Sequence, residues 1–472
     1  MTTRRPNRNV GRTLRETAAV SAATGFFLIL AVQWDFSRTA RLYRDAASMH
    51  APVSLRQYPY PFRAALSICS DIDDTETPEE FLSIQEFLNT DHETVYGRGV
   101  GLEIGNSFYM VDRPGRNEFT WFSDRPQDQR IIREFIRAGI IDCLHSYGEG
   151  CSTRVQAVSA IRALERDGCR VPVWINHSNA RSNMSKWFKT NRGDRLGDPA
   201  YHSDVTIPYA IRYVSCGSST SVVGQDAPVS WRSYLCPPVS EACLKSLRNS
   251  AKSFFKRIAS MFGLSDTRYF LHRDNALIGI RRLEDGRRVY EFMRYDLHRE
   301  GIGYGADSRG LAENISESVL KRLLEVRGTG IVYTHLGKNG DGQPWVDPQT
   351  ADALRNLSVH ATEGRILVTT TYKLLNYTTV RRALRWTAEA DSTETVIRIH
   401  GIRDTILGEI EANEENLQGI TFTVPDGKPV RILVHGKACR DLRTNPPDES
   451  GRRSVSFPWK RLKPPEFHDP GH

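Results

Sequence analysis

Apolar and polar positions change period repeatedly along the middle of the chain, and each change marks an element. Ala64-Ala-Leu-Ser-Ile-Cys69 is a nearly continuous apolar run, which predicts a buried strand, and it ends at Ser70-Asp71-Ile72-Asp73-Asp74. Pro126 opens a segment in which Ile131, Ile132, Phe135 and Ile136 share one helical face, and Gly139 closes it. A second apolar run over 140–144 stops at His145. Ser152 is placed to cap the next helix, whose Val155, Val158, Ile161 and Leu164 keep helical spacing as far as Gly168. The run 171–175 predicts a strand ending at Asn176-His177. A helix over 317–325, a strand over 330–333 that ends at Thr334-His335, a helix over 352–359 and a strand over 365–369 continue the pattern.

Strands that alternate with helices predict a parallel sheet with crossover helices, open or closed into a barrel. Such barrels gather their working groups at the C-terminal ends of the strands. Four predicted strands end on a carboxylate or an imidazole: Asp71/Asp73/Asp74, His145, His177 and His335. From Ser392 the period becomes two, in the runs 395–399, 419–424 and 430–434 with a Pro425-Asp-Gly-Lys428 turn. This predicts a small β-domain over 392–445, and the Pro-rich, charged segment 446–472 reads as an unstructured tail.

At the other end, Arg4, Arg5, Arg8, Arg12 and Arg15 precede an apolar run from Ala18 to Trp34. A helix over 18–34 would span about 25 Å, the short end of what a bilayer requires. The basic flank 1–17 keeps the N-terminus cytoplasmic, so the expectation is a single-pass signal anchor, with Trp34 at the interface, a linker over 35–63 and an exported body. Hydrophobic residues at 39% and charged ones at 25% exclude a wholly disordered chain of 472 residues. The net charge of +8 belongs to the ends: residues 1–45 hold eight basic and three acidic groups, and 428–472 hold ten and five. The body is nearly neutral, which removes the case for a nucleic-acid partner. Neither a Gly-x-Gly-x-x-Gly opening a helix after a strand nor a Walker loop occurs, so no nucleotide is implied, and no Gly-x-Ser-x-Gly elbow points to a serine esterase. Of eight cysteines none form a C-x-x-C pair; Cys216, Cys236 and Cys243 are the first candidates for a disulfide, while Cys69 and Cys143 read as small buried residues.

Paired aspartates at a strand end with histidines nearby point to a divalent metal, a general base and a general acid. Ile72-Asp73-Asp74-Thr75 resembles the first motif of the polysaccharide deacetylases (carbohydrate esterase family four and its relatives), with Thr75 in place of a glycine. Leu144-His145-Ser146-Tyr147-Gly148-Glu149 resembles the second motif, and Val332-Tyr333-Thr334-His335 the late strand of that family. The resemblance implies a distorted (β/α)7-type barrel over 64–390, with Asp73 as base, His335 as acid, and Asp74 and His145 as ligands of a divalent ion, zinc foremost. Glu149 stands where the second metal histidine belongs, and His177 from the next strand is the alternative third ligand. Asn176, Tyr201, His202 and Trp231 are candidate substrate-binding residues. The expected function is removal of acyl groups from a cell-envelope or extracellular polysaccharide. The alternatives are a glycoside hydrolase working through Asp71 and Asp73, and a catalytically silent glycan-binding protein.

Overall fold

The computed structural model describes residues 30–38, 53–72, 75–112, 115, 118–148, 150, 151–178, 180–235, 243–263, 268–297, 308–337 and 346–466. Its main sheet has nine strands: β1 (Ala64–Asp71), β2 (Gly105–Phe108), β3 (Ile141–His145), β4 (Val173–Ile175), β5 (Tyr213–Ser215), β6 (Ile278–Arg282), β7 (Arg288–Phe292), β8 (Thr329–Thr334) and β9 (Ile366–Val368). The hydrogen-bonded order is β6-β7-β5-β4-β3-β2-β1-β8. β9 pairs with Ala64–Leu66, the start of β1, while β2 pairs with Cys69–Asp71 at its end. All pairings are parallel except the β6–β7 hairpin.

The longer helices that flank the sheet are α1 (Pro78–Asn89), α2 (Pro126–Arg137), α3 (Arg154–Arg166), α4 (Cys243–Met261), α5 (Glu317–Val326), α6 (Pro348–Thr362) and α7 (Thr371–Ala383). Local chemistry fixes their starts. Thr77 caps α1 by accepting from the Glu80 N–H, and Pro78 takes the first helical position, where no N–H is needed. Thr153, rather than Ser152, caps α3, because a full capping box with Gln156 forms there. The buried face of that helix is Ala157, Ala160, Ile161 and Leu164, and Val155, expected on it, is 79% exposed.

Alternate residues of each strand pack on opposite faces. Leu66, Ile68 and Val332 meet α1, α5 and α6 on one side, and Leu144, Trp174 and Val214 join the α2 and α3 core. The other face gathers Ala65, Cys69, Cys143, Val173, Ile175, Tyr213, Phe292, Ile331, Tyr333 and Leu367 into one cluster, floored by Leu374 and Leu375 of α7. One cluster drawn from so many strands requires a sheet curled around its own concave face. The described strands form no closed barrel, yet the two ends of the order approach each other. The Phe292 and Tyr333 ring centroids are 6.4 Å apart, and the Arg294 guanidinium lies 4.7 Å from the Tyr333 ring.

The C-terminal β-domain begins at Leu384, not after 390. Leu384–Ala390 pairs antiparallel with Thr395–Asp404, which pairs parallel with Val430–Val434. A second sheet places Thr421–Val424 between Ser54–Leu55 and Arg453–Ser456. Thus the expected linker supplies a strand, and so does the expected tail, because Val455 and Phe457 are apolar residues that bury in the domain's core. At the N-terminus, 18–29 of the expected anchor lie outside the described residues, while 30–38 form a helix docked on the body. Val32 and Phe36 are buried there, and the Trp231 Nε1–H donates to Gln33 at 2.8 Å. No helix among the described residues is long and apolar enough to cross a membrane. Cys216, a candidate for a disulfide, is a free buried thiol, as are Cys69 and Cys143; Cys236 and the Cys243 side chain lie outside the described residues.

Candidate functional site

The concave cluster ends, at the C-terminal ends of the strands, in a polar layer. Cys69, Cys143, Ile175 and Tyr333 face inward, and two residues further along each chain stand Asp71, His145, His177 and His335. Strand periodicity alone therefore stacks one carboxylate and three imidazoles on an apolar base. Asp71 is 1% exposed and central: its Oδ2 is 3.6 Å from His145 Nδ1 and 3.7 Å from His335 Nε2. Ser107 of β2, the strand between β1 and β3, donates its hydroxyl to Asp71 Oδ1 at 2.5 Å. The Ser107 hydroxyl bonds this buried carboxyl directly, while the two imidazole nitrogens stand just beyond hydrogen-bond distance of its other oxygen.

His145 and His177 meet edge to face, with ring centroids 4.7 Å apart, and Tyr109 lies 5.1 Å from each. The backbone turns sharply after both histidines: Ser146 and Ser178 have φ of 52° and 38°, in the left-handed region. Asn183 clamps the second turn, accepting the His177 N–H and donating to its carbonyl, both at 2.8 Å. The first turn depends on Gly148, where a Cβ would sit 2.0 Å from the Val111 carbonyl oxygen. That approach joins the His145 turn to the segment carrying Tyr109, since the Val111 N–H donates to Tyr147 O at 3.1 Å.

Of the sequence-predicted residues, the fold brings His145 and His335 to Asp71 and packs His177 on His145. Asp73, Asp74 and Glu149 lie outside the described residues. The four substrate-binding candidates are engaged elsewhere. The Asn176 amide is consumed within the protein: its Oδ1 accepts from Trp174 Nε1 and the Met184 N–H, and its Nδ2 donates to Met184 O. His202 packs against Tyr147 and Trp174, and both its ring nitrogens bond within the protein, to Thr206 Oγ1 and Ser182 O. Burial pushes its pKa down to about 4, so it is a neutral core histidine. Tyr201 is held by Arg287 at 3.0 Å, and Trp231 serves the docked helix.

Imidazole and carboxylate are the nitrogen and oxygen donors that zinc and similar divalent ions take, but Asp71, His145, His177 and His335 do not by themselves bring three ligand atoms within 4.8 Å of one another, and the expected Asp74 and Glu149 lie outside the described residues. Among the described residues only Cys69, Asp142 and Cys143 meet that distance. That group is a poor host. Burial pushes the Cys69 thiol up to about 11 and Cys143 higher still, so neither is a thiolate. Cys143 donates to Asp142 Oδ1 at 3.2 Å, and Oδ2 accepts the Tyr372 N–H in the first turn of α7 at 2.5 Å. The cluster is a hydrogen-bonded joint between β3 and α7.

Sequence reasoning missed Ser107, Tyr109 and Glu80. Ser107 and Tyr109 sit on or beside Gly105–Phe108, a strand too short and polar to show periodicity. Glu80, 3% exposed, reaches between the turn following β1 and the one following β8: its Oε2 accepts the Glu76 N–H, and its Oε1 would lie 2.5 Å from a Cβ at Gly337. Burial raises its pKa to about 7. No known family model, no curated protein and no solved structure matches this chain.

Proposed function

We propose that the chain is a metal-dependent hydrolase that removes acetyl or related acyl groups from an envelope or extracellular polysaccharide, held at a membrane by residues 18–34 with its body exported. The observation that carries this reading is the convergence of Asp71, His145, His177 and His335 at the C-terminal ends of parallel strands, in the order in which the resemblance to polysaccharide deacetylases requires His145 and His335. The strongly curled sheet, with Phe292 near Tyr333, supports its description as an incompletely closed (β/α)7-type barrel.

In this reading Asp74 and His145, with Glu149 or His177 as the third ligand, would hold the ion. When bound, it polarises the acyl oxygen and lowers the pKa of a water towards about 7. Asp73 takes the proton of the attacking water, and His335 delivers one to the departing nitrogen or oxygen. Asp71, buried between them, positions the imidazoles of His145 and His335 from one carboxylate oxygen. The test is acetate release from an acetylated hexosamine oligomer by purified full-length chain, with metal content measured on the same sample. Bound divalent ion near one per chain and release abolished in Asp73→Asn are the expected results; a metal-free, inactive chain overturns the reading.

A further inference from the structure

A second recess lies at the opposite end of the strands. It is an open cleft of about 1080 Å³ between the N-terminal edge of the main sheet, the first turns of α7, the β-domain and the segment Trp459–Leu462. Its volume is at the upper end for pockets that hold drug-sized molecules. Along β3, Asp142 lines this cavity and His145 belongs to the histidine cluster, so the two recesses are separated by three residues, about 10 Å of strand.

The lining is strongly cationic: seven of its residues are Arg or Lys, against the carboxylates Asp142 and Glu415. Lys373 and Arg461 are compensated by Glu103, at 2.7 and 3.8 Å, and Lys460 by Glu414 at 3.4 Å, but the other four face less negative charge. Arg137 donates only to the Asp167 carbonyl and Arg212 only to the Tyr372 hydroxyl at 3.5 Å, and neither they nor Arg170 and Arg288 have a carboxylate partner among the described residues. Asp142 offers little compensation, since its oxygens are turned to Cys143 and the Tyr372 N–H and burial pushes its pKa up to about 6. A nearly neutral body has thus concentrated unpaired guanidinium groups around one recess.

A second, independent observation concerns neutral groups. Tyr377 is 5% exposed and lines the cavity, yet its Oη has no hydrogen-bond partner among the described residues; the same holds for the buried Nε1 of Trp459 and Oε1 of Gln418. Buried polar atoms left in this state cost about 1–3 kcal/mol each, and the three residues that carry them all stand in the wall of this recess. Asn376 and Asn416 add amides to the same wall. Guanidinium groups match carboxylate or phosphate oxygens, and phenol, indole and amide groups match hydroxyls.

From these two observations we infer that the cavity is a second ligand site, separate from the histidine cluster, for a hydroxyl-rich polyanion, namely an oligosaccharide segment bearing carboxylate or phosphate groups. The inference goes beyond the hydrolase reading and does not depend on it.

The test is calorimetric titration of the full-length chain with three probes: an oligogalacturonate hexamer, a phosphorylated hexose and the uncharged hexamer of N-acetylglucosamine. One or both anionic probes should bind, with affinity falling as salt rises, and which of them binds identifies the anion. Arg212→Ala/Arg288→Ala should weaken that binding at least tenfold, Arg170→Glu at the exposed rim severalfold, and Tyr377→Phe severalfold without changing the salt dependence. His145→Ala should leave it unchanged. Absence of anionic binding, equal binding of the neutral hexamer, or affinity within twofold of the parent in both the Arg212/Arg288 and Arg170 variants overturns the inference. So does loss of binding in His145→Ala, which would assign the ligand to the other recess. Acetate release and cavity binding are separate readouts, so either reading can fail alone.

Discussion

Asp71 and His335 meet across neighbouring parallel strands, with Oδ2 3.7 Å from Nε2, and the same carboxylate oxygen lies 3.6 Å from His145 on the far side of β2. One buried carboxyl oxygen therefore stands between two imidazoles that approach it from opposite sides. Asp71→Asn keeps the shape and removes the charge. It should lower acetate release roughly 100-fold while KM changes little, the pattern for a group that acts through others. Ser107→Ala, which removes only the hydroxyl donor, should cost less than tenfold. A KM effect larger than the kcat effect would show that Asp71 binds substrate instead.

His145 and His177 should be required together for metal. Their rings meet at 4.7 Å and arise from adjacent strands, so in the proposed metal site either change to Ala would remove one donor. Metal analysis should show about one ion per chain falling to near zero in each variant. In the parent, a chelator should lower the free energy of unfolding by the linkage term, about 2.7 kcal/mol for an ion present at a hundred times its Kd. Unchanged stability on chelation would separate these histidines from metal binding.

Gly148→Ala should be among the most damaging single substitutions. Its φ is 89°, and a Cβ there would lie 2.0 Å from a backbone oxygen that no rotamer change can move. A loss of about 2–4 kcal/mol in denaturant unfolding is expected, with Gly168→Ala, which has φ of 64° but open space, losing about 1 kcal/mol.

Glu80 gives a pH signature. Its pKa rises from 4.5 to about 7 on folding because burial disfavours the charge. The folded chain therefore retains a proton that the unfolded chain has released, and stability falls as pH rises from about 4.5 to 7. Glu80→Gln cannot ionise, so its stability relative to the parent should improve by about 1–3 kcal/mol between pH 5 and pH 8. Parallel stability curves for the two proteins would exclude this origin.

Much of the architecture is legible in the sequence where burial is two-sided and continuous. The runs around Cys69, Cys143, Trp174 and Val332 had to be strands, and their ends carry His145, His177 and His335. Legibility failed where chemistry is local or long-range. Gly105–Phe108 has no periodic pattern, yet it inserts between β1 and β3 and supplies Ser107. His202 follows Tyr201 in a loop and looks available, but its polarity is spent on Thr206 and Ser182 inside the core. The strand Arg453–Ser456 is short and charged at its start, and only pairing with Thr421–Val424 gives it order. Trp231 could be read as a sugar platform because nothing in the sequence reveals a helix 198 residues away, whose Gln33 takes its indole hydrogen.

Thr421–Val424 is flanked by Ser54–Leu55, which precedes the main sheet, and by Arg453–Ser456, which follows every other described strand. Ser54 and Thr423, whose hydroxyls touch, are 369 residues apart. During synthesis Ser54–Leu55 must therefore wait while the whole α/β body emerges from the ribosome, and the small sheet closes only after Arg453–Ser456 has followed. The histidine layer can assemble before that moment. The cationic cavity cannot, because Trp459–Leu462 form part of its wall. The two recesses thus mature at different times, and a nascent or truncated chain could hold the first while lacking the second.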